Sequence, residues 1–167
     1  MIPSDFDESL VPTDLAAGEH VVYSSLMKAR DVAAGFPDAL VIAADTIVVV
    51  DGEILGKPSD AGDAARMLRL PSGRTHQVFT GVTVAAGARE LSAHECTDVT
   101  FTELSNEVIS RYLSTGEPMD KAGAYAIQGR ASVLIRSVSG CYFNVVGLPV
   151  FRLSRMLEEF GVQALGA

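Results

Sequence analysis

Ala39-Leu40-Val41-Ile42-Ala43-Ala44-Asp45-Thr46-Ile47-Val48-Val49-Val50-Asp51-Gly52 is the stretch whose reading decides the fold. Its first part reads as a buried strand, Ile47 to Val50 carries it on in extended form, and Asp51-Gly52 is a hairpin turn signal. Glu53-Ile54-Leu55 is then the return strand. Asp45 stands between two apolar runs, where a carboxylate is costly to bury without a partner. It either opens into a cleft, where it could hold a metal or deprotonate a water, or sits at a strand end bonded to backbone amides. The run is too short, and too interrupted by that charge, to cross the ~30 Å hydrocarbon core of a bilayer as a helix.

Upstream, Leu15, Val22, Leu26, Ala29 and Ala33 recur at helical spacing until Gly35 and Pro37 stop them. Downstream, the pattern predicts a helix from Asp60 to Leu70 with Ser59 or Asp60 as its cap. Strands follow from His76 to Ala86 and from Leu91 to Thr102, joined around Gly87. Ser105 caps a further helix through Leu113, Ala131 to Val138 reads as a strand, and Pro149 to Phe160 as a final amphipathic helix. The alternation gives an α/β fold. The hairpin and the long strand pair demand antiparallel neighbours, so the expected sheet is mixed. No composition shift or repeat divides the chain, and one domain over 1–167 is expected.

Composition narrows the function. Lys and Arg number 13 against 21 Asp and Glu, a net charge of −8, which disfavours binding to the backbone of a nucleic-acid polymer. A small anion could still be held by a few local cations, particularly alongside a divalent metal. Two cysteines, Cys96 and Cys141, without a C-x-x-C or a matching His cluster, suggest neither a disulfide framework nor a zinc site. The acidic N-terminus lacks the basic and apolar regions of a secretion signal, so a cytoplasmic protein without membrane association is expected.

Several segments could join Asp45 in a site. Gly56-Lys57-Pro58 sets one cation on a tight loop, where it could meet a phosphate or simply be a solvated turn. Asp5, Asp7 and Glu8 could offer magnesium an oxygen ligand or form a solvated acidic terminus. Lys28 lies late in the first helix, where a surface role is the ordinary one. Ser72-Gly73-Arg74-Thr75-His76 gathers a guanidinium and hydroxyls in a loop suited to an oxyanion, so Arg74 is a candidate substrate contact. The long Gly-rich segment from Gly116 to Gly129 has the composition of a functional or mobile loop, and the Gln128 amide could read the edge of a base. No Walker-type phosphate loop and no G-x-S-x-G elbow occurs.

Taken in order, Pro3-Ser4-Asp5-Phe6-Asp7-Glu8, Ala44-Asp45-Thr46, Gly56-Lys57-Pro58, Ser72-Gly73-Arg74-Thr75-His76 and Thr80-Gly81 resemble the Maf family of nucleotide pyrophosphatases. The likeness continues through Gly116-Glu117-Pro118, Asp120-Lys121-Ala122-Gly123-Ala124-Tyr125, Ile127-Gln128-Gly129 and Asn144-Val145-Val146-Gly147-Leu148-Pro149. Each motif is weak alone, and their joint order is specific. The resemblance implies an elongated mixed α/β fold related to the inosine triphosphate pyrophosphatases, a nucleotide cleft between two lobes, and usually a homodimer. It implies conversion of a nucleoside triphosphate and water to the monophosphate and pyrophosphate, with a divalent metal, Mg²⁺ or Mn²⁺.

By the matching motifs, Asp45 would be proton acceptor and metal ligand, Glu8 would help hold the metal, and Lys28 and Lys57 would contact the triphosphate. Thr46 and Gln128 match positions tied to base selection. The Ala-Asp-Thr and Ile-Gln-Gly versions resemble the branch acting on dTTP and UTP rather than the one acting on 7-methyl-GTP. The family opens with a strand and a Ser-x-Ser-Pro-Arg-Arg loop that this chain lacks. A natural truncation or a start set too late is expected, with a nucleotide-binding or division-related protein of little catalysis as the alternative.

Overall fold

The apolar run around Asp45 forms one unbroken strand, β1, Leu40–Val50. Asp51 and Gly52 both take positive φ, 51° and 83°, the pairing a tight hairpin of this kind needs, and they return the chain into β2, Glu53–Leu55. The computed structural model describes residues 1–163 and Leu165; of the domain expected over 1–167, residues 164, 166 and 167 lie outside the described residues.

Before β1 comes α1, Ala17–Gly35. After β2, the Asp60 carboxylate accepts from the Asp63 N–H and starts α2, Ala61–Arg69. Two long strands follow, β3, Thr75–Ala86, and β4, Arg89–Phe101, in continuous register from Thr75↔Thr100 to Ala86↔Arg89. Ser105 caps α3, Asn106–Leu113. The chain then runs through short 3-10 turns into β5, Ile135–Ser139, α4, Tyr142–Val146, and α5, Val150–Glu158.

The strands form one sheet in the order β2-β1-β3-β4-β5. The α/β class with flanking helices is as expected, but every neighbouring pair is antiparallel, where a mixed sheet was predicted. β2 and β3 do run parallel, but on opposite sides of β1. The connection through α2 therefore crosses a strand instead of delivering a parallel neighbour.

Both faces of the sheet are covered along the second half of β1, where Ile47 to Val50 are all buried, while Leu40 and Ile42 near its start stay exposed. On one face, Ile47 and Val49 pack with Val21, and Val41 and Ala85 with Ala29, all beneath α1. On the other, Val48, Val50, Val78 and Val99 pack with Leu68 of α2, Ile109 of α3 and Tyr125, while Val82 and Val84 meet Leu153 and Met156 of α5. Helix α1 comes so close that a Cβ at Gly81 would stand 2.1 Å from the Val21 carbonyl oxygen.

Two local readings change. The strand expected from Ala131 begins only at Ile135, because Arg130–Leu134 is a 3-10 turn whose first N–H groups, of Arg130 and Ala131, are held by the Glu117 carboxylate. Much of the segment from Gly116 to Gly129 is likewise wound into 3-10 turns. The Tyr112 hydroxyl donates to Glu117 at 2.8 Å and accepts from the Ala126 N–H, and the Gly123 N–H donates to the Gly56 carbonyl. Gly123 has φ 66° and lies against Val48, where a Cβ would come within 2.8 Å. Glycine is required there on both counts.

Candidate active site

β2 covers only Val48 to Val50 of β1, so Leu40 to Ile47 have no strand beside them on that side among the described residues. A cleft of about 630 Å³ opens along this edge at Ala44 to Val48. Because side chains alternate along a strand, Asp45 and Thr46 face opposite sides of the sheet. Asp45 pairs with Gly81 on the α1 face, and Thr46 pairs with Thr80 on the other. Both line the cleft, which wraps around the open edge between them.

On the α1 side, Lys28 is the centre of charge. Its Nζ lies 2.6 Å from Asp45 Oδ1 and 2.6 Å from Glu8 Oε1. The N-terminal segment is brought there by Asp31, one helical turn beyond Lys28, whose carboxylate accepts from the Ser4 hydroxyl and the Asp5 N–H, each at 2.8 Å. Asp7 then caps the short turn Glu8–Leu10. Burial pulls the Lys28 ammonium down, but hydrogen bonds to Asp45 and Glu8 outweigh it and leave its pKa above the usual lysine value. Lys28 is charged at any physiological pH. The Asp45 side chain is 11% exposed, and among the described residues no protein hydrogen bond reaches its Oδ2.

On the opposite side of the edge, Thr46 and Gln128 line the cleft with the apolar side chains of Ile127 and Val146. Lys57 and Lys121 join from the two loops stitched by the Gly123–Gly56 hydrogen bond. The cleft thus combines charged side chains from both sides of the edge with hydrogen-bonding groups, Thr46 and Gln128, set among apolar ones.

Glu8, Lys28, Asp45, Thr46, Lys57 and Gln128 are brought together here. Arg74 is not. Its guanidinium clamps the Asp51 carboxylate at 2.6 and 2.7 Å, so it braces the β1–β2 turn outside the cleft lining. Residues given no role from sequence also line the cleft: His20, Lys121 and Tyr125. Tyr125 bonds the buried His76 at 2.8 Å, and burial drives the His76 pKa down to about 4. His76 is a neutral structural group. Lys121, Tyr125 and His76 all stood inside motifs already singled out, but the pairing of Tyr125 with His76, far apart in sequence, gave no local signal, nor did His20.

Among the described residues no three His, Cys, Asp or Glu side chains converge to hold a metal. Two do converge on one cation, since Glu8 and Asp45 share the Lys28 ammonium. Two hard carboxylate oxygens fit a divalent ion of the magnesium kind, which takes few protein ligands and completes its shell with phosphate and water oxygens. No helix among the described residues is long and apolar enough to cross a membrane.

The fold and the cleft define an α/β protein with a charge-lined cleft along the open edge of a sheet. The chain belongs to the Maf family: the family model described as Maf-like protein matches residues 1–160. It is 57% identical over 157 residues to a dTTP/UTP pyrophosphatase of Symbiobacterium thermophilum, covering 94% of this chain and 80% of that one. A dTTP/UTP pyrophosphatase of Moorella thermoacetica is 51% identical over 166 residues, with 98% and 85% covered. One from Methanosarcina mazei is 48% identical over 162 residues, with 96% and 82% covered.

Proposed function

We propose that this protein hydrolyses dTTP and UTP to the nucleoside monophosphate and pyrophosphate. The observation that carries the reading is one cleft lined by Glu8, Lys28 and Asp45 on the α1 face of β1 and by Thr46 with Gln128 and Lys57 on the other. The names of the relatives supply the substrates. In this reading the triphosphate lies against Lys28 and Lys57 and the pyrimidine against Thr46 and Gln128.

Asp45 takes a proton from the attacking water through Oδ2. The water oxygen bonds to the α-phosphorus, the bond from that phosphorus to the bridging oxygen breaks, and pyrophosphate leaves with the bond electrons. Lys28 and Lys57 offset the charge that grows on the leaving group. Glu8 and Asp45 would hold the divalent ion, Mg²⁺ or Mn²⁺, which supplies Lewis-acid polarisation of the phosphate when bound. Arg74, held by Asp51, is left out of the substrate contacts.

A cytoplasmic homodimer completes the proposal. Exposed Tyr142, Phe143 and Phe151 are apolar surface of the kind a subunit interface covers. The direct test incubates purified protein with Mg²⁺ and dTTP, UTP or CTP and separates the products by ion-exchange chromatography. The monophosphate and pyrophosphate are expected; a diphosphate with orthophosphate would overturn the assignment of attack at the α-phosphorus.

A further inference from the structure

The Thr46 hydroxyl has a fixed direction. Thr80, fully buried, donates its single hydroxyl proton to the Asn144 carbonyl oxygen at 2.8 Å, an acceptor that has no proton to return. In the 2.9 Å contact between Thr46 and Thr80, Thr80 is therefore the acceptor and Thr46 the donor. The proton of Thr46 is spent inside the protein, and what its oxygen turns to the cleft is lone pairs.

The chain behind it is equally directional. Asn144, itself fully buried, donates both side-chain protons, to the Val78 carbonyl at 2.9 Å and to Thr97 Oγ1 at 3.0 Å. Turning that amide over would set its own oxygen against the Val78 carbonyl, so the orientation is determined. Thr97 in turn donates to the Cys141 carbonyl. Every hydroxyl proton in the network has one possible destination.

We propose that Thr80 is a specificity-positioning residue: by accepting the Thr46 proton it holds Thr46 as a pure hydrogen-bond acceptor, suited to the imide N3–H of uracil or thymine and unsuited to the unprotonated N3 of cytosine. This rests on the function proposed above and on Thr46 lining the cleft together with Gln128. Gln128, with a donor and an acceptor on one amide, can serve the flanking carbonyls but cannot by itself reject cytosine, because an amide can rotate to suit either ring.

The test is Thr80→Val. The Asn144 carbonyl keeps the Gly147 N–H as a donor at 3.0 Å, so the substitution leaves no orphaned carbonyl there. Freed of its acceptor, Thr46 can donate to a ring nitrogen. The ratio of kcat/KM for UTP to that for CTP is expected to fall about tenfold, the worth of one hydrogen bond. Thr80→Ser, which keeps the hydroxyl, should restore the wild-type ratio. A ratio unchanged in Thr80→Val, with both substrates slowed alike, would overturn the inference by making Thr80 a packing residue only.

A measurement on the wild type stands apart from any folding defect of the variant. N3-methyl-UTP cannot donate at N3 and should be turned over at least about tenfold less efficiently than UTP; equal turnover would overturn the inference. Absence of any conversion of UTP by the wild type would remove the proposed function and this inference together. Conversion of UTP with an unmoved ratio would remove the inference alone.

Discussion

Lys28 and Asp45 meet at 2.6 Å where α1 packs on β1, and each is largely withdrawn from water, with 19% and 11% of its side chain exposed. An ion pair so placed offsets the charge of each partner in the resting protein. It also sets the cost of removing either partner, because the survivor is left as a partly buried charge.

Asp45→Asn keeps the size of the side chain and removes the base. The expected result is a kcat lowered by at least about 10²-fold with KM for dTTP changed far less, measured by steady-state pyrophosphate release. A variant retaining wild-type kcat would remove Asp45 from the chemistry.

Lys28→Met keeps the aliphatic stem packed on β1 and takes away the ammonium. Stability should fall by about 2 kcal/mol in urea unfolding, as a charged hydrogen-bond partner is lost from Asp45. KM for the triphosphate should rise as well. A rise in KM without loss of stability would show that the pair contributes nothing to the resting fold.

Gly81→Ala introduces a methyl where the Val21 carbonyl already stands, at 2.1 Å. Neither backbone can yield cheaply, so a loss of about 3 kcal/mol is expected by chemical denaturation. Activity should drop with it, since the displaced helix is the one that carries Lys28.

His76 gives the protein an acid sensitivity of known sign. Burial lowers its pKa to about 4 from an ordinary value of 6.5, so between those limits the unfolded chain binds a proton that the native state refuses. Stability from this group is complete above pH 6.5 and declines by about 1.4 kcal/mol per unit as pH falls toward 4. Melting temperatures measured across that window should fall more steeply for the wild type than for His76→Gln. Parallel profiles would contradict the depressed value.

The elements readable from sequence were those whose cause is local. Asp51-Gly52 supplies both positive φ values of its own turn, and Asp60 and Ser105 cap the helices they precede. The start of β5 was misplaced because its preceding turn is held by Glu117, on another segment. Helix α4, Tyr142–Val146, is too short to show a periodicity and went unread. Antiparallel pairing throughout could not be read from strand patterns, which do not say on which side of β1 the chain returns from α2.

In the site, the charged groups were legible because a carboxylate in an apolar strand and a lysine on a glycine turn are conspicuous in one dimension. Arg74 was equally conspicuous, yet its partner Asp51 lies on a neighbouring hairpin and takes it elsewhere. The Thr46, Thr80 and Asn144 chain joins three separate elements through ordinary polar residues, and only their register and packing give it meaning.

Asp45 and Thr46 are consecutive in the chain yet look out from opposite faces of one sheet. On the proposed roles, hydrolysis and base choice share a strand without sharing a wall. Exchanges around Thr46 can retune which nucleobase is admitted while the electrostatics around Asp45 stay untouched, so the two properties are free to diverge independently. The same adjacency is unforgiving of frame: sliding β1 by one residue against β3 would carry the base-reading hydroxyl into the carboxylate's seat, and it would also turn Ile47 and Val49 away from Val21 beneath α1.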